Sequence, residues 1–570
     1  MYPAPVFLAC GLVIATASPA ALAQSRPAPA APAAPAAAAA PAAAEPRFDI
    51  LEYEVEGNTR LPLLEVERVL LPHMGEGRTL ATVEAARAAL ERAYQAGGWL
   101  SVLVDIPEQR VADGLVRLRI TEGAVDRVRI TGALWFDQDH ILRRLPAVQP
   151  GQVPDFNALQ AQLAELNRNA DRQVQPVLRP GLLPGTVEVE FKVRDAMPVS
   201  GSVELHNRHA EHTEPLRLAA TLRHDNLFQR EHSLSLSFST APRQPAQTQT
   251  ATLSYGLPLA PDQSLQISYT YSDSLNTPLG NTVIGRGDTL ALRWSLARYE
   301  GRDSHSLSLG AEWRDLQQRV RAGSSAASDG SDAELSTPLR YLPLSLGWNG
   351  QFQHGAGAQA SSTQLGATLT LGLRPLNQRR IACPGTIGAQ DQFHCNREGA
   401  DGGFGVLRLD ARHSRPLPGG WPGSLALRLS GQLAAQPLVS GEQMVAGGAD
   451  SVRGFLESTA SGDLGLIAGV EARSAELSPA LRRALGLADE AASALASLQL
   501  LGFVDAAQLQ VHDAQPGQAA RRRLGGAGFG LRLRAAGGAQ ADLDLAWPLN
   551  RDARQRLDGP RLHARMALPF

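Results

Sequence analysis

Apolar and polar residues alternate strictly along much of the chain after about position 199. In the segment 425–433, for example, Leu425, Leu427 and Leu429 alternate with small or polar residues. A period of two gives each strand one apolar and one polar face, so these segments predict β-strands. The alternation recurs over the segments 216–222, 234–238, 407–412, 464–473, 531–534, 541–547 and 561–570. Helical periodicity is rare here, and a long, mainly β region is predicted.

Residues 47–123 predict a compact α/β domain. The expected order is a strand around Tyr53, two helices and two further strands. The first helix is expected near 63–71, and the second stops at Gly97. This part of the chain therefore differs in class from the long β region.

Residues 124–196 repeat the same order of elements. Their second helix follows Asp155 and places four apolar residues on one face: Phe156, Leu159, Leu163 and Leu166. Two copies of a β-α-α-β-β pattern amount to an internal repeat. From the residues alone, the repeat is also compatible with two packed domains that have no special role.

The N-terminal residues predict export from the cytoplasm. Residues 1–23 have an apolar run and an Ala-Leu-Ala cleavage site, which indicate a signal peptide. Residues 24–46 are almost entirely alanine and proline and predict an extended linker. No later run is apolar and long enough for a helical membrane span. The net charge of −2 gives no reason to expect a nucleic-acid partner.

Cys10 lies in the predicted signal peptide, and the other two cysteines, Cys383 and Cys395, flank a polar segment that contains glycine. In an oxidising compartment this arrangement predicts a disulfide that closes a loop. A metal site with the adjacent His394 is the alternative, but two cysteines and one histidine are a poor zinc set. The other close group of histidines, expected on lumen or turn surface, is His206, His209 and His212. No metal is therefore predicted.

The β region 197–570 is expected to be a transmembrane barrel. Its length allows about sixteen antiparallel strands, and closing the sheet removes every exposed edge. Arginine and aspartate recur on the polar face, as they do in a water-filled lumen. The signal peptide and the apolar, aromatic last residue, Phe570, favour the barrel over a soluble, adhesive β protein.

A glycine-rich loop with one arginine, Arg453, separates two of the alternating segments. Together with other short motifs, this loop resembles the two-partner secretion outer-membrane transporters of the TpsB, or haemolysin-secretion/activation, type. These belong to a superfamily of barrels that bear POTRA domains. The matching positions are 107–109, 113–114, 120–123, 180–181, 185–195, 226–227, 432, 437–438, 442–443, 447–448 and 451–455. They cover nearly all of the chain after the linker.

The resemblance implies two periplasmic POTRA domains followed by a barrel of about sixteen strands. It also implies that a loop motif lies in the lumen, and that motif is here Val452, Arg453, Gly454 and Phe455. Arg453 would pair with Asp505 on the inner wall, close to Phe503. Spacing independently places Asp505 on the polar face of its strand. The family has a glycine where this chain has Ala507, which puts the local backbone geometry in question.

The implied function is export of a large, secreted TpsA-like partner, of the haemolysin or adhesin type, from the periplasm across the bacterial outer membrane. The expected other contacts are outer-membrane lipid and the barrel-assembly machinery. No phosphate-binding loop, nucleophile elbow or zinc-protease motif occurs, so no cofactor, catalytic residue or enzyme activity is expected. A barrel insertase of the same superfamily and a passive porin remain the alternatives. The family's plug helix would precede the first domain, where this chain is rich in alanine and proline.

Overall fold

The computed structural model describes residues 46–570, apart from residues 112, 170, 277–281, 322–333, 384–387, 418–421, 479–494, 516–517 and 551–558. The predicted signal peptide and all but the last residue of the predicted linker lie outside the described residues. Within the described part of the chain, no helix combines the length and apolar character needed to cross a bilayer.

The first α/β unit has the predicted elements and two short strands that the sequence did not predict. Its elements are β1 (Phe48–Ile50), β2 (Glu52–Glu56), α1 (Leu63–Leu70), β3 (Gly75–Arg78), α2 (Leu80–Ala96), β4 (Val102–Asp105) and β5 (Leu115–Glu122). β5 lies between β2 and β4 in one sheet, parallel to β2. The unpredicted β1 and β3 form a separate pair. β3 has no alternation to reveal it and adopts positive φ at Gly75 and Gly77.

The second α/β unit repeats this arrangement. It consists of β6 (Ala124–Thr131), α3 (Gln138–Arg143), α4 (Phe156–Leu166), β7 (Arg172–Pro180) and β8 (Thr186–Asp195). β8 lies in the middle, parallel to β6 and antiparallel to β7. Asp155 caps α4 by accepting hydrogen bonds from the amides of Asn157 and Ala158 at 2.9 and 3.0 Å. All four predicted apolar residues of α4 are buried in the core of this unit.

The mainly β class and the sixteen-strand barrel are confirmed. The barrel strands are β9 (Val199–His206), β10 (Arg217–Leu227), β11 (His232–Thr240), β12 (Thr248–Ala260), β13 (Gln263–Asn276), β14 (Thr282–Glu300), β15 (Asp303–Arg321), β16 (Glu334–Tyr341), β17 (Pro343–His354), β18 (Ser361–Gly372), β21 (Gly405–Pro416), β22 (Gly423–Ala434), β25 (Leu464–Ser474), β26 (Leu495–Gln510), β27 (Arg521–Ala535), β28 (Gln540–Pro548) and β29 (Arg561–Pro569). β16 and β17 both pair with β15 and are separated only by Leu342, so they form one interrupted strand. β29 pairs with β9 and closes the cylinder.

Short elements lie in two of the connections between barrel strands. The connection from β18 to β21 contains α5 (Arg374–Asn377), β19 (Arg380–Ala382), β20 (Ala389–Asp391) and α6 (Gln392–Asn396). The connection from β22 to β25 contains the paired strands β23 (Met444–Ala446) and β24 (Ala460–Gly462).

The outer face of the barrel is apolar. One row of directly paired residues crosses five neighbouring strands, and each member is 45–50% exposed: Leu222, Leu236, Leu253, Tyr269 and Leu290. Such a continuous exposed band is costly in water but suits contact with lipid chains. The polar residues that alternate with this row therefore face the lumen.

The second α/β unit contacts the turn between β10 and β11. Arg172, which is almost fully buried, lies 2.8 Å from the carboxylate of Glu231 in this turn. Gln229 accepts a hydrogen bond from the amide of Asp137 at 3.0 Å and donates one to the carbonyl of Trp135 at 3.0 Å. Both turn residues have positive φ, at 57° and 60°. Such a backbone conformation is costly for residues other than glycine, so contacts to this turn help to hold it.

Candidate functional site

The connection between β22 and β25, residues 435–463, carries the glycine-rich motif on a tight tip. The paired strands β23 and β24 bring residues 447–459 together as the closed end. Within the tip, the amide of Gly447 donates to Ser451 Oγ at 2.8 Å, and the amide of Ala449 donates to Glu457 Oε1 at 3.1 Å. These bonds satisfy backbone groups that lie outside regular structure and define the shape of the tip.

Arg453 lies at this tip and is only 5% exposed. Its Nε donates to Oδ2 of Asp505 at 2.7 Å, and its Nη2 donates to Oδ1 at 3.1 Å. This two-bond fork is the geometry that arginine forms best with a carboxylate. The guanidinium also lies 3.3 Å from the centroid of the Phe503 ring. The structure therefore brings together Arg453, Asp505 and Phe503, which the sequence analysis named as one site.

Three further residues from the wall bond to Arg453 and Gly454, and sequence reasoning did not assign them. Arg453 Nη1 donates to Glu471 on β25 at 3.0 Å and to Asp544 on β28 at 3.4 Å. The amide of Gly454 donates to Nε2 of His563 on β29 at 3.0 Å. All three stand on the polar face of alternating segments, so the parity that located Asp505 could also have found them. What the sequence did not supply was the distance of each from the loop.

Three carboxylates surround the single positive charge of Arg453, and arginines of the wall balance the excess negative charge. Each carboxylate has a second arginine partner within 3.5 Å: Arg428 for Asp505, Arg473 for Glu471 and Arg532 for Asp544. Arg428 Nη2 also donates to the carbonyl of Ser451 at 2.8 Å and thereby contacts the tip directly. The charges form one connected network, which offsets the cost of removing them from water.

Two apolar residues of the motif, Val452 and Phe455, are fully buried. They pack in a cluster with side chains from the wall strands β25, β26 and β27, among them Ala507 and Leu524. Ala507 stands where the resemblance predicts glycine, and its methyl group is part of this cluster. The departure from the family pattern therefore adds apolar contact at the tip and leaves Asp505 in place.

Two glycines allow the backbone of the tip to approach the wall. Gly454 has φ of 96°, and a Cβ there would lie 3.0 Å from the amide nitrogen of Pro548. At Gly526 on β27, a Cβ would overlap the carbonyl oxygen of Arg453. A side chain at either position would push the tip away from its ion pair.

The base of the same connection is held by a second fork. Arg397 contacts both oxygens of Asp463, at 2.5 and 2.7 Å, and Asp463 is fully buried. Asp463 also accepts hydrogen bonds from the amides of Leu438 and His512, at 3.0 and 2.7 Å. Asp463 directly precedes the alternating segment 464–473 and fits its polar positions, but the alternation indicates no partner for it.

A second buried carboxylate, Glu442, lies in the same base. It accepts hydrogen bonds from Arg314 at 2.7 Å, from the hydroxyl of Tyr341 at 3.0 Å and from Arg408 at 3.1 Å. Gln432 Nε2 donates to the carbonyl oxygens of both Glu442 and Asp463, at 3.0 and 3.1 Å, and so joins the two sites. Gln432 and Glu442 belong to the sequence block that resembles the family, which was a usable signal for their importance.

Cys383 and Cys395 are joined by a disulfide in the connection between β18 and β21, with their Cα atoms 5.4 Å apart. The neighbouring Gln392 is fully buried, and its Nε2 donates to the carbonyls of Arg340 and Asn377 at 2.6 Å each. Arg397, which binds Asp463, follows Cys395 by two positions. The covalent link therefore lies beside the fork that holds the base of the loop.

Of the predicted histidine group, His206 ends β9, and His209 and His212 lie in the connection that follows. His209 Nδ1 lies 2.8 Å from the carbonyl oxygen of Asn207, and both residues lie between β9 and β10. Among the residues that the structure describes, no group of histidine, cysteine and carboxylate side chains is arranged to hold a metal ion.

A sixteen-strand barrel with an inward-folded arginine loop and N-terminal β-α-α-β-β units defines a POTRA-bearing outer-membrane transporter. The chain belongs to the family of haemolysin secretion/activation proteins ShlB/FhaC/HecB, whose profile matches residues 185–533. A POTRA domain of the ShlB type matches residues 48–123.

Relatives in sequence and structure agree with this assignment. The outer membrane transporter CdiB of Dickeya dadantii (strain 3937) is 24% identical over 428 residues, which span 74% of this chain and 71% of that protein. The solved structure of CdiB from Escherichia coli superposes with a TM-score of 0.58 at 19% identity, covering 94% of this chain and 93% of that one. BamA from Haemophilus ducreyi lacking POTRA domains 1–3 superposes at 0.52 with 17% identity, covering 92% and 100%. These two structural likenesses concern the fold alone.

The family places the barrel in the bacterial outer membrane and its POTRA domains in the periplasm. The predictions of recognition, fold class and localisation are therefore confirmed. The family consists of protein transporters of two-partner secretion. Membership in it does not identify the type of partner that is exported.

Proposed function

We propose that this protein exports one large exoprotein, of the haemolysin or adhesin type, through its barrel after the periplasmic domains have bound it. The observation that supports this most directly is the fork between Arg453 and Asp505 inside the lumen. It attaches a long loop to the wall by polar bonds and a small apolar cluster, with no covalent link between tip and wall. A loop held in this way can leave the wall and return to it while the exported polypeptide passes.

The strength of the tip attachment is suited to a gate. A hydrogen bond to a charged group contributes about 1.5–3 kcal/mol, so several bonds together favour the closed loop. Each carboxylate that Arg453 would leave behind retains another arginine partner. Release of the tip therefore does not strand an unpaired charge in the wall, which lowers the cost of opening.

The two N-terminal units, residues 47–123 and 124–196, are proposed as POTRA domains that recruit the partner by strand addition. An extended segment that pairs with a sheet edge gains main-chain hydrogen bonds with little demand on its sequence. In the second unit, β7 contains Pro176 and Pro180, which lack amide donors. β6, at the other edge of that sheet, is therefore the better edge for an added strand. Insertion by the barrel-assembly machinery and contact with outer-membrane lipid complete the proposed partners.

The decisive experiment compares the proteins in the culture medium of three strains. One lacks the gene, one carries the intact gene, and one carries Arg453→Ala. We expect a large polypeptide to disappear from the medium in the first strain and to be strongly reduced in the third, with equal amounts of folded barrel. A fourth strain, with Arg534→Ala on the same wall strand as Gly526, is the matched arginine control. Unchanged secretion by the Arg453→Ala strain would remove the proposed role of the tip.

The same strains distinguish the insertase alternative, for which the BamA-like fold is the motive. An insertase would lower the amounts of many outer-membrane barrels when its gene is lost. An exporter would lower one secreted polypeptide and leave those barrels unchanged. Deleting residues 47–123 should abolish binding of the partner in a pull-down, and retained binding would contradict recruitment by that domain.

A further inference from the structure

The lumen of the barrel has two chemically different halves. On β11, β12 and β13, the inward residues from Ser233 to Ser239, from Thr250 to Gly256 and from Gln266 to Ser272 are all serine, threonine, glutamine or glycine. We call this surface the hydroxyl wall. The residues that alternate with it point outward, as the 50% and 45% exposure of Leu236 and Phe238 shows.

Neighbouring strands of the hydroxyl wall are in register. Thr221 Oγ1 and Ser237 Oγ are 3.2 Å apart, and Thr252 Oγ1 and Thr270 Oγ1 are 3.0 Å apart. Ser237 is directly paired with Thr252, so these four hydroxyl groups form one row across four strands. Each hydroxyl can both donate and accept, so it can bond to a neighbour or to a passing group.

The opposite half of the lumen is charged and already occupied. Strands β22 and β25 to β29 carry the carboxylates and arginines that bind the loop tip, including Glu471, Asp505 and Asp544. A cavity of about 490 Å³ beside the tip is lined by this charged network. A passing chain on that side would compete with the loop for every one of its partners.

A second cavity, of about 480 Å³, lies on the neutral side of the lumen. Its lining includes Ser304, Ser306, Asn349, Gln351 and Gln364 on β15, β17 and β18, with Asp410 and Arg412 at its charged edge. Between this cavity and the hydroxyl wall, Glu312 lies 2.6 Å from Arg314 and 3.8 Å from Arg293. Arg314 also binds Glu442 of the loop, so the charges here offset one another. The neutral side therefore continues from β11 to β18 with little net charge.

We propose that the exported polypeptide moves in an extended form along the hydroxyl wall, opposite the loop. This inference rests on the proposed export function. Inward hydroxyl groups recur about every 6.5–7 Å along a strand. The main-chain polar groups that point to one side of an extended passing chain recur at the same spacing. The wall can thus exchange hydrogen bonds with the main chain of any sequence. Because it carries no charge, it neither holds acidic segments nor repels basic ones.

The test uses the polypeptide that disappears from the medium on gene deletion, fused at its C-terminus to a disulfide-closed domain that arrests it in the barrel. A photo-crosslinking residue is placed at Ser237, at Ser268 or, as the matched control on the charged half, at Ala426 of β22. We expect crosslinks to the arrested chain from Ser237 and Ser268 and few from Ala426. Equal or stronger crosslinking from Ala426, or none from any position, would overturn the hydroxyl wall as the path.

This result is separable from failure of the export function itself. If deletion of the gene removes no polypeptide from the medium, the export proposal is contradicted before any crosslinking experiment is done. A second test compares Thr252→Arg with Thr252→Gln, which adds similar length without charge. We expect the arginine variant to export at least about threefold less than the glutamine variant, because a fixed charge holds or repels charged segments of the passing chain. Equal export by the two variants, at equal amounts of folded barrel, would contradict the proposal.

Discussion

Arg397 binds both carboxylate oxygens of Asp463, at 2.5 and 2.7 Å through Nη1 and Nη2, just as Arg453 binds both oxygens of Asp505 through Nε and Nη2. The two forks hold opposite ends of one connection, its base and its tip. At the base, Asp463 also accepts hydrogen bonds from the amides of Leu438 in the loop and His512 after β26, so it links two connections. At the tip, the further partners of Arg453 are side chains of the wall, Glu471 and Asp544. The base is thus the firmer anchor, and the tip is the part suited to release.

The first prediction concerns the base. Asp463→Ala should destabilise the loop by about 3–5 kcal/mol, because it leaves Arg397 in a largely buried site without its counter-charge. Two amide donors, those of Leu438 and His512, also lose their acceptor. Amide hydrogen exchange of residues 435–463 in the folded barrel measures this loss.

The control for the base is Asp410→Ala on β21. Asp410 accepts a hydrogen bond from Ser430 at 2.7 Å but is exposed, so its removal should cost about 1 kcal/mol or less. If the Asp463→Ala and Asp410→Ala variants exchange alike over residues 435–463, the base fork is not the anchor described above.

The second prediction concerns the tip. Arg453→Lys keeps the charge but loses the planar fork, so tip attachment should weaken by about 1.5–3 kcal/mol. Single-channel conductance should then show more frequent openings than in the unaltered protein. Conductance traces indistinguishable from those of the unaltered protein would show that charge alone, without the fork, holds the tip.

A charge swap sharpens the second prediction. If Arg453 and Asp505 formed an isolated ion pair, exchanging the two residues would restore it. Here it should fail to restore closure, because a carboxylate at position 453 would face Glu471 and Asp544, at 3.0 and 3.4 Å from the present guanidinium. Recovery of normal gating by the swap would mean that these two carboxylates contribute little.

Local patterns in the sequence were sufficient to predict the barrel and the wall residues Asp505 and Phe503 that contact the tip. Alternation depends only on neighbouring residues, and it determines which face of a strand meets lipid. For that reason, Asp505 and Phe503 could be assigned to the lumen before any coordinates were known. The same rule covered Glu471 and Asp544, yet gave no reason to connect them with Arg453.

The base of the loop could not be predicted because its partners are distant in sequence and lie outside regular strands. Arg397 and Asp463 are in different connections, and Arg397 belongs to no alternating segment that would give its direction. Their contact arises only after β18, β21 and β22 have brought the two connections together. The short pair of β1 and β3 was missed for a related reason, since glycine-rich segments carry no periodic signal.

The third prediction concerns the disulfide between Cys383 and Cys395. For a loop of this size, cross-linking contributes about 3 kcal/mol through the entropy of the open chain. Reduction should therefore increase hydrogen exchange around Arg397 and, through it, at Asp463. The intact mass should rise by two hydrogens on reduction. A variant with alanine at both cysteines should exchange faster from the start and should not respond to reductant.

The fourth prediction concerns pH and the contact between the second α/β unit and the β10–β11 turn. Burial lowers the pKa of His140 in α3, and Arg144, Arg172 and Arg143 act in the same direction against the opposing effect of Glu231. The docked state thus binds protons less readily than the free state. This contribution to docking is complete above the ordinary histidine pKa of about 6.5 and is lost as the pH falls below it.

Limited proteolysis of the second unit in the intact barrel should accordingly become faster between pH 7.5 and pH 5.5, values that lie on either side of the ordinary histidine pKa of about 6.5. His140→Gln should remove most of this dependence, because glutamine does not titrate. Glu231→Gln should instead loosen the contact at both pH values, since Arg172 then has no carboxylate at 2.8 Å to offset its burial. A His140→Gln protein that kept the full pH response would assign it to another group, and the docking contact would then not depend on this histidine.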